Sequence, residues 1–101
     1  MNIKLTTILQ RQLDQARKSA GRTIVTTLGR GLRIEIKTVP GEIHLTLRRE
    51  GNYPSLTEWD TVTKHFPFIL VRVMPTLEQR GNDFTLSARF SDTPDQGQTD
   101  G

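Results

Sequence analysis

The two histidines, together with Ser55 and Ser87, are the side chains considered first for acid–base or nucleophilic chemistry. His44 lies in a stretch where apolar and polar residues alternate, and His65 lies near the end of a helical pattern. Neither histidine has a second histidine at the spacing of metal ligands, which argues against a zinc site. Ser55 and Ser87 could each be combined with an aspartate and a histidine, but no spacing in the chain favours such a triad. We therefore expect a protein that is not an enzyme and that uses no metal or cofactor.

The glycines and the absence of cysteine argue against two further kinds of site. The sequence G-R-G at residues 29–31 precedes a strand-like stretch, whereas a dinucleotide-binding loop needs G-x-G-x-x-G followed by a helix. The chain contains no cysteine, so disulfides, thiolate metal ligands and cysteine nucleophiles are excluded. A lack of cysteine also fits a cytoplasmic protein, which is the location we expect.

Five basic side chains are the candidates for a binding surface. Four project from the polar sides of expected strands and the fifth lies in a turn beside them: Arg33, Lys37, Arg48, Arg89 and Arg30. If these strands are neighbours, their basic side chains form a strip, interrupted by Glu35, that could follow a phosphate backbone. Proteins that bind single strands usually add aromatic side chains to such a face, and here we expect only Tyr53 to be exposed. The strip therefore supports nucleic-acid binding as an alternative function.

The charge of the chain is unevenly distributed. Its 101 residues include 14 basic and 11 acidic side chains, for a net charge of +3. Residues 91–101 contain three aspartates and no basic residue, so the body without them carries a charge of about +6. Such a body attracts nucleic acid or anionic surfaces non-specifically. We expect a single domain over residues 1–90 and a disordered acidic tail over 91–101.

The first half of the chain predicts one helix followed by three strands. Apolar residues at helical spacing indicate an amphipathic helix over residues 3–20, and Gly21 is a natural residue to end it. Residues 23–28 are rich in threonine and β-branched residues, as strands are. Alternation of apolar and polar residues over 32–39 and again from Ile43 onward predicts a hairpin with one face exposed to water.

The stretch NYPSLTEW, residues 52–59, has the pattern of a helix beginning. Ser55 followed three residues later by Glu58 forms a capping box, in which each side chain accepts from the backbone amide of the other residue. Pro54 disfavours a helical turn before it. Apolar residues then recur at helical spacing and predict one buried face: Leu56, Trp59, Val62 and Phe66. Helix initiation and packing explain this motif without a binding or catalytic role.

The last third of the chain predicts two more strands. Residues 68–74 form a mostly apolar run that ends at Pro75, and residues 84–90 alternate between apolar and polar side chains. We interpret the polar segment 76–83 as a connection with a turn at 80–83. The fold class is therefore α+β, in the order α-β-β-β-α-β-β, with two helices packed on one face of a five-stranded, largely antiparallel sheet.

Two resemblances concern architecture and one short segment. Strands followed by a helix resemble the single-stranded-DNA-binding transcriptional coactivators built from a curved sheet and a helix. The segment LRREGNYPSLTEW, residues 47–59, is similar to one found in small uncharacterised bacterial and phage proteins. Neither resemblance implies a functional residue.

A small interaction module is the function that we expect from these features. No apolar run approaches the length of about 20 residues that a membrane span needs, so we expect no membrane association. A small sheet with open edges can pair with a second copy in a two-fold dimer, and the small core makes such self-association plausible. We therefore expect a homo-oligomer or a complex with another protein, with nucleic-acid binding as the alternative.

Overall fold

The computed structural model describes residues 5–65 and 73–91, which form two helices and one five-stranded sheet. In chain order the elements are α1 (Leu5–Lys18), β1 (Ile24–Thr27), β2 (Arg33–Val39), β3 (Glu42–Glu50), α2 (Leu56–Lys64), β4 (Thr76–Arg80) and β5 (Asp83–Ser91). The strands lie side by side in the order β1-β2-β3-β5-β4, and every neighbouring pair is antiparallel. The predicted α+β class and element order are confirmed.

The core lies between one face of the sheet and the two helices. Strand side chains alternate between the two faces, so Ile34, Ile36 and Thr38 of β2 are buried while the residues between them are not. Helix α1 packs on β1 and β2. Helix α2 contributes Trp59 to the same core, where its ring stacks on Phe90 of β5 with 6.4 Å between centroids. We call the sheet face opposite the helices the open face.

Helix α1 is fastened to the sheet by two buried polar side chains. Thr38 of β2 donates from its hydroxyl to the carbonyl of Ala16 at 3.0 Å. Gln12 donates from Nε2 to the carbonyls of Ile24, at 2.7 Å, and Ile34, at 2.6 Å. These contacts join α1 to both strands beneath it, and they require a polar residue on the buried side of the helix.

The predicted beginning of α2 is confirmed in detail. The Ser55 hydroxyl accepts from the amide of Glu58 at 3.0 Å, and the Glu58 carboxylate accepts from the amide of Ser55 at 2.8 Å. Trp59 and Val62 are buried as expected. The prediction for Leu56 was wrong, because its side chain at the first turn of the helix is 51% exposed. Phe66 lies outside the described residues.

Residues with a positive φ lie at the turns that precede and separate the first three strands. Helix α1 ends before Gly21, which has a φ of 88° that suits glycine and disfavours other residues. A short 3-10 turn at Gly29–Gly31 joins β1 to β2, and Arg30 within it also has a positive φ, 64°. Strands β2 and β3 are joined through Gly41, with a φ of 81°.

The fourth strand is where the sequence-based prediction differs most from the structure. Most of the predicted strand 68–74 lies outside the described residues, and Val73 and Met74 are not part of a strand. Strand β4 instead covers Thr76–Arg80, which was interpreted as a connection. All five residues of β4 are exposed, so the strand has no alternating apolar pattern to reveal it. It is held by antiparallel pairing with β5 across the turn that begins at Gly81.

The last strand, β5, is slightly longer than predicted. It covers Asp83–Ser91 rather than 84–90, and it pairs with β3 over its whole length. Ser91, the first residue of the predicted acidic tail, therefore belongs to the sheet. Residues 92–101 lie outside the described residues.

Candidate binding surface

Strand register arranges the polar side chains of the open face in rows. Lys37 of β2 lies opposite His44 of β3, which in turn lies opposite Arg89 of β5. Because neighbouring strands are about 4.8 Å apart, the backbones at the two ends of this row are separated by about 10 Å. In a second row, Arg33 lies opposite Arg48. The adjacency of β2, β3 and β5 thus brings four of the five predicted basic residues onto one face.

The fifth predicted residue, Arg30, lies apart from the open face. It is exposed in the 3-10 turn between β1 and β2, where its carbonyl accepts from Nε of Arg49 at 3.3 Å. The sequence had placed this turn beside the strands that carry the other basic residues. The structure agrees with that placement, but the turn is not part of the rows formed by strand register.

Arg48 is held by acidic neighbours on its own face. Its Nε donates to Glu35 at 2.8 Å and its second terminal nitrogen to the other Glu35 oxygen at 3.3 Å, while Asp83 lies 3.8 Å from the guanidinium. The hydrogen bond with Glu35 raises the pKa of Arg48, and partial desolvation opposes that effect. Glu35, expected only to interrupt the basic strip, therefore neutralises its central member.

Acidic and basic side chains are balanced across the open face. Its described cations are Arg33, Lys37, Arg48, Arg80 and Arg89, and its described acids are Glu35, Glu42, Glu50, Glu78 and Asp83. Among the residues that the structure describes, Arg33, Lys37 and Arg89 form no ion pair, whereas Arg80 contacts Glu78 at 3.3 Å. The open face thus combines a near-neutral total with three cations available for an anion.

Two shallow depressions lie along β5 on the open face. The first, of about 170 Å³, is lined by Thr46, Arg48, Glu78, Arg80, Asp83, Thr85 and Ser87. The second, of about 550 Å³, is lined by His44, Thr46, Val73, Met74, Thr76, Ser87, Ala88 and Arg89. The two depressions are adjacent, since both are lined by Thr46 and Ser87; the first is lined by polar side chains and the second also by Val73, Met74 and Ala88. The larger depression includes His44 but no carboxylate among its described lining residues.

Exposed apolar side chains concentrate at the edge of the sheet formed by β4. Five large apolar side chains are substantially exposed in the described residues: Val25 at 51%, Leu56 at 51%, Val73 at 36%, Met74 at 75% and Leu77 at 54%. Three of the five fall within residues 73–77, and we call Val73, Met74 and Leu77 the β4 edge patch. Leu77 lies opposite Leu86 on the helix side of the sheet, whereas Val73 and Met74 line the larger depression on the open face. The indole of Trp59 donates to the carbonyl of Val73 at 3.0 Å and so holds the start of this segment against α2.

An ion pair that joins β3 to α2 was not foreseen from the sequence. Arg49 donates to both oxygens of Glu58, at 2.9 and 2.6 Å, while Glu58 also caps α2. The hydrogen bond from Arg49, followed by that from the Ser55 amide, lowers the pKa of Glu58 despite partial burial. The same contact raises the pKa of Arg49. One sequence signal existed: Arg49 falls where alternation along β3 would place an apolar, core-facing residue.

The two histidines have separate surroundings. His44 contacts Glu42 at 3.0 Å on the same strand, and His65 contacts the hydroxyl of Thr6 at 2.8 Å, which links the end of α2 to α1. Within the described ranges, no three histidine, aspartate or glutamate side chains are grouped as ligands of a metal ion. Neither helix that the structure describes is long and apolar enough to cross a membrane.

Comparison with known proteins gives no further guide to this surface. The chain matches no protein-family model, no curated protein and no solved structure. The candidate surface therefore consists of the open face and the β4 edge patch, interpreted by their own chemistry.

Proposed function

We propose that this chain is a non-enzymatic protein-interaction module that self-associates through β4. The observation that carries the proposal is the β4 edge patch: Leu77 lies in a fully exposed edge strand, and Val73 and Met74 are exposed in the segment just before it. An edge strand presents unpaired backbone donors and acceptors, and apolar surface beside it gains free energy when another chain covers it. Apolar clusters of this kind commonly mark interaction sites.

A second copy of the chain is the partner that this edge favours. A two-fold axis makes a surface meet itself, and an antiparallel strand edge can pair with an identical strand in that way. The opposite edge of the sheet is less suitable, because Val25 is the one large exposed apolar side chain on β1, whereas Leu77 on β4 is accompanied by Val73 and Met74 just before the strand. The two edges of the sheet therefore differ in the number of large apolar side chains that they expose.

Sedimentation velocity on three versions of the chain tests self-association. The wild type is expected to shift from monomer to dimer as its concentration rises about a hundredfold. Leu77→Lys places a charge in the edge patch and is expected to stay monomeric, whereas Val25→Lys, at a similarly exposed site on the other edge, should sediment like the wild type. Circular dichroism would verify that both variants fold. A monomeric wild type, or dimers of Leu77→Lys, would contradict the proposal.

Nucleic-acid binding by the open face is a second candidate function. It is supported by the row that contains Lys37, His44 and Arg89, together with Arg33 on the same face. Unpaired cations at this spacing could contact successive phosphates. Two observations weaken this candidate: Arg48 is held by Glu35, and the open-face residues of the described strands include no phenylalanine, tyrosine or tryptophan for base stacking. Binding of labelled oligonucleotides distinguishes it from self-association.

A further inference from the structure

The larger depression on the open face gathers side chains that suit a tetrahedral anion. His44 and Arg89 line it side by side, because strand register places them opposite each other on β3 and β5. Thr46 and Ser87 contribute hydroxyls that can donate to the same ligand, and no carboxylate is among the lining residues that the structure describes. Lys37 lies opposite His44 on β2, and we call Lys37, His44 and Arg89 the His44 row. An anion seated over His44 would therefore have a cation on each neighbouring strand.

The two permanent cations of the His44 row have no competing acid in the part of the chain that the structure describes. Lys37 and Arg89 form no ion pair there, whereas Arg48 on the same face is held by Glu35. The backbones of Lys37 and Arg89 are about 10 Å apart across two strand spacings, and both side chains project from the open face. The planar fork of an arginine matches two oxygens of a phosphate or sulfate group.

His44 makes the charge of this row depend on pH. Its Nε2 lies 3.0 Å from a carboxylate oxygen of Glu42. Because an ionised carboxylate only accepts hydrogen bonds, Nε2 carries the hydrogen of the neutral ring and Nδ1 is an acceptor, which disfavours a neighbouring anion. Protonation turns Nδ1 into a second donor and adds a positive charge between Lys37 and Arg89. The affinity of the row for an anion should therefore rise as His44 gains its proton.

The charged groups around His44 favour binding of the proton and the anion together. Glu42 on the same strand attracts the protonated ring, whereas Lys37 on β2 and Arg89 on β5 repel it. Glu35, one row further along β2, is held by an arginine of β3. Strand β4 and the segment just before it contribute only uncharged side chains to the depression. An anion between the two cations offsets their repulsion of the protonated ring, so each binding event strengthens the other.

We propose that the larger depression is a pH-dependent site for a doubly charged tetrahedral anion, a phosphate or sulfate group. Lys37 and Arg89 are its permanent cations, and His44 is the cation that titrates. The site lies on the face considered for nucleic-acid binding, but it requires neither nucleic acid nor self-association. It assigns anion contact to one row, whereas the second candidate function would use cations along the whole face.

Titration with sodium sulfate tests the site, because sulfate stays doubly charged over the pH range in which histidine titrates. Backbone amide signals of β3 and β5 would be followed by NMR on isotope-labelled chain at constant ionic strength. We expect the affinity to be about two- to fivefold higher at about pH 5.5 than at about pH 8, as one partly exposed charge contributes. His44→Gln should lose this difference, whereas His65→Gln, which removes the other histidine of the chain, should keep it. Wild-type affinity that does not change with pH, or a change that His44→Gln keeps, would overturn the inference.

Two arginine substitutions separate a local site from general attraction by charge. Arg89→Gln should weaken sulfate binding about fivefold or more, because a charge-assisted contact is lost. Arg33→Gln removes the same charge from the same face and should weaken binding by less than about twofold. Arg33 lies about 13 Å from Lys37 along β2, beyond the Debye length of about 8 Å at physiological ionic strength. The amide spectra verify that both variants fold, and equal losses in the two would overturn the inference.

Labelled oligonucleotides with and without a terminal phosphate identify the source of the anion. Tighter binding of the phosphorylated form, lost in Arg89→Gln, would assign the site to a nucleic-acid end. Equal binding of both forms, with sulfate binding intact, would assign it to a small phosphate ester. Leu77→Lys alters the other side of the sheet and should bind sulfate like the wild type. A failure of the proposed self-association therefore leaves this site standing, and a failed sulfate titration leaves the proposed dimer standing.

Discussion

At the scale of single residues, Glu58 has two roles that one substitution can measure. It accepts from the Ser55 amide at the beginning of α2 and forms a two-point ion pair with Arg49 of β3. We expect Glu58→Gln to lower the free energy of unfolding by about 1–2 kcal/mol, because charge-assisted hydrogen bonds are lost at a partly buried site. Urea denaturation would measure the change. Glu50→Gln, at an exposed site, is the matched control and should change stability by less than about 0.5 kcal/mol.

The Glu58 carboxylate also makes the difference in stability between the wild type and Glu58→Gln depend on pH. The pKa of Glu58 is lower in the folded chain than the ordinary value of about 4.3, so the unfolded chain binds its proton more readily. Its contribution to stability is therefore complete above about pH 5 and is lost as the pH falls through the folded pKa. The difference between the wild type and Glu58→Gln should shrink as the pH falls below about 4. A difference that does not depend on pH would show that the ionised carboxylate is not responsible.

Ser55 and Glu58 also show what the sequence reveals at this scale. Their spacing predicted the capping box because both partners lie within one helical turn. The ion pair with Arg49 was not predicted, because it depends on how β3 and α2 pack against each other. For the same reason the sequence placed Arg48 on the open face but gave no indication that Glu35 and Asp83 would hold it.

At the scale of elements, the attachment of α1 to the sheet depends on Gln12. Its amide donates to a carbonyl in β1 and another in β2, while its own Oε1 is buried without a partner among the described residues. Gln12→Glu keeps the shape but replaces the donors by a carboxylate that faces two carbonyl oxygens. We expect a loss of about 3 kcal/mol or more at neutral pH. Thermal or urea denaturation would measure it.

A second glutamine on the same helix provides the control for that prediction. Gln15 is exposed, so Gln15→Glu introduces the same charge without burying it and should change stability by less than about 0.5 kcal/mol. The loss in Gln12→Glu should decrease at acidic pH, because burial favours the protonated carboxyl. Equal effects of the two substitutions would show that α1 is not held by the Gln12 amide.

Elements whose faces differ in burial were the ones that the sequence predicted well. Strands β2 and β3 have a wet face and a core face, so their alternation predicted where they lie along the chain and which side chains face the core. Strand β4 has no buried residue, and its order comes from the backbone of β5 across a turn. The burial of Gln12 was not predicted, because a polar residue on a helix is expected to face water. In this fold it faces the sheet, because its amide donates to two strand carbonyls.

At the scale of the whole molecule, net charge and the arrangement of charge lead to different expectations. The chain carries a net charge of +3, which favours weak contact with any polyanion. On the open face, by contrast, five described cations are balanced by five acids, and three of these cations have no ion pair among the described residues: Arg33, Lys37 and Arg89. A specific nucleic-acid interface would depend on these three residues, whereas non-specific attraction would depend on the total charge.

Two variants of equal charge separate these possibilities. The face variant carries Arg33→Glu, Lys37→Glu and Arg89→Glu, and the helix variant carries Arg11→Glu, Lys18→Glu and Lys64→Glu at exposed sites on α1 and α2. Fluorescence anisotropy with labelled single- and double-stranded oligonucleotides would be measured over a range of salt concentrations. If the open face binds a single strand through three phosphate contacts, log K should fall with log salt with a slope of about −2.

Nucleic-acid binding by the open face predicts that the face variant loses affinity while the helix variant keeps that salt dependence. Equal losses in both variants would show that net charge alone attracts the oligonucleotide, and the second candidate function would then be wrong. Because β4 carries none of the six substituted residues, both variants should still dimerise if self-association uses the β4 edge patch. Measuring sedimentation on the same samples therefore separates an effect on nucleic-acid binding from an effect on the proposed dimer.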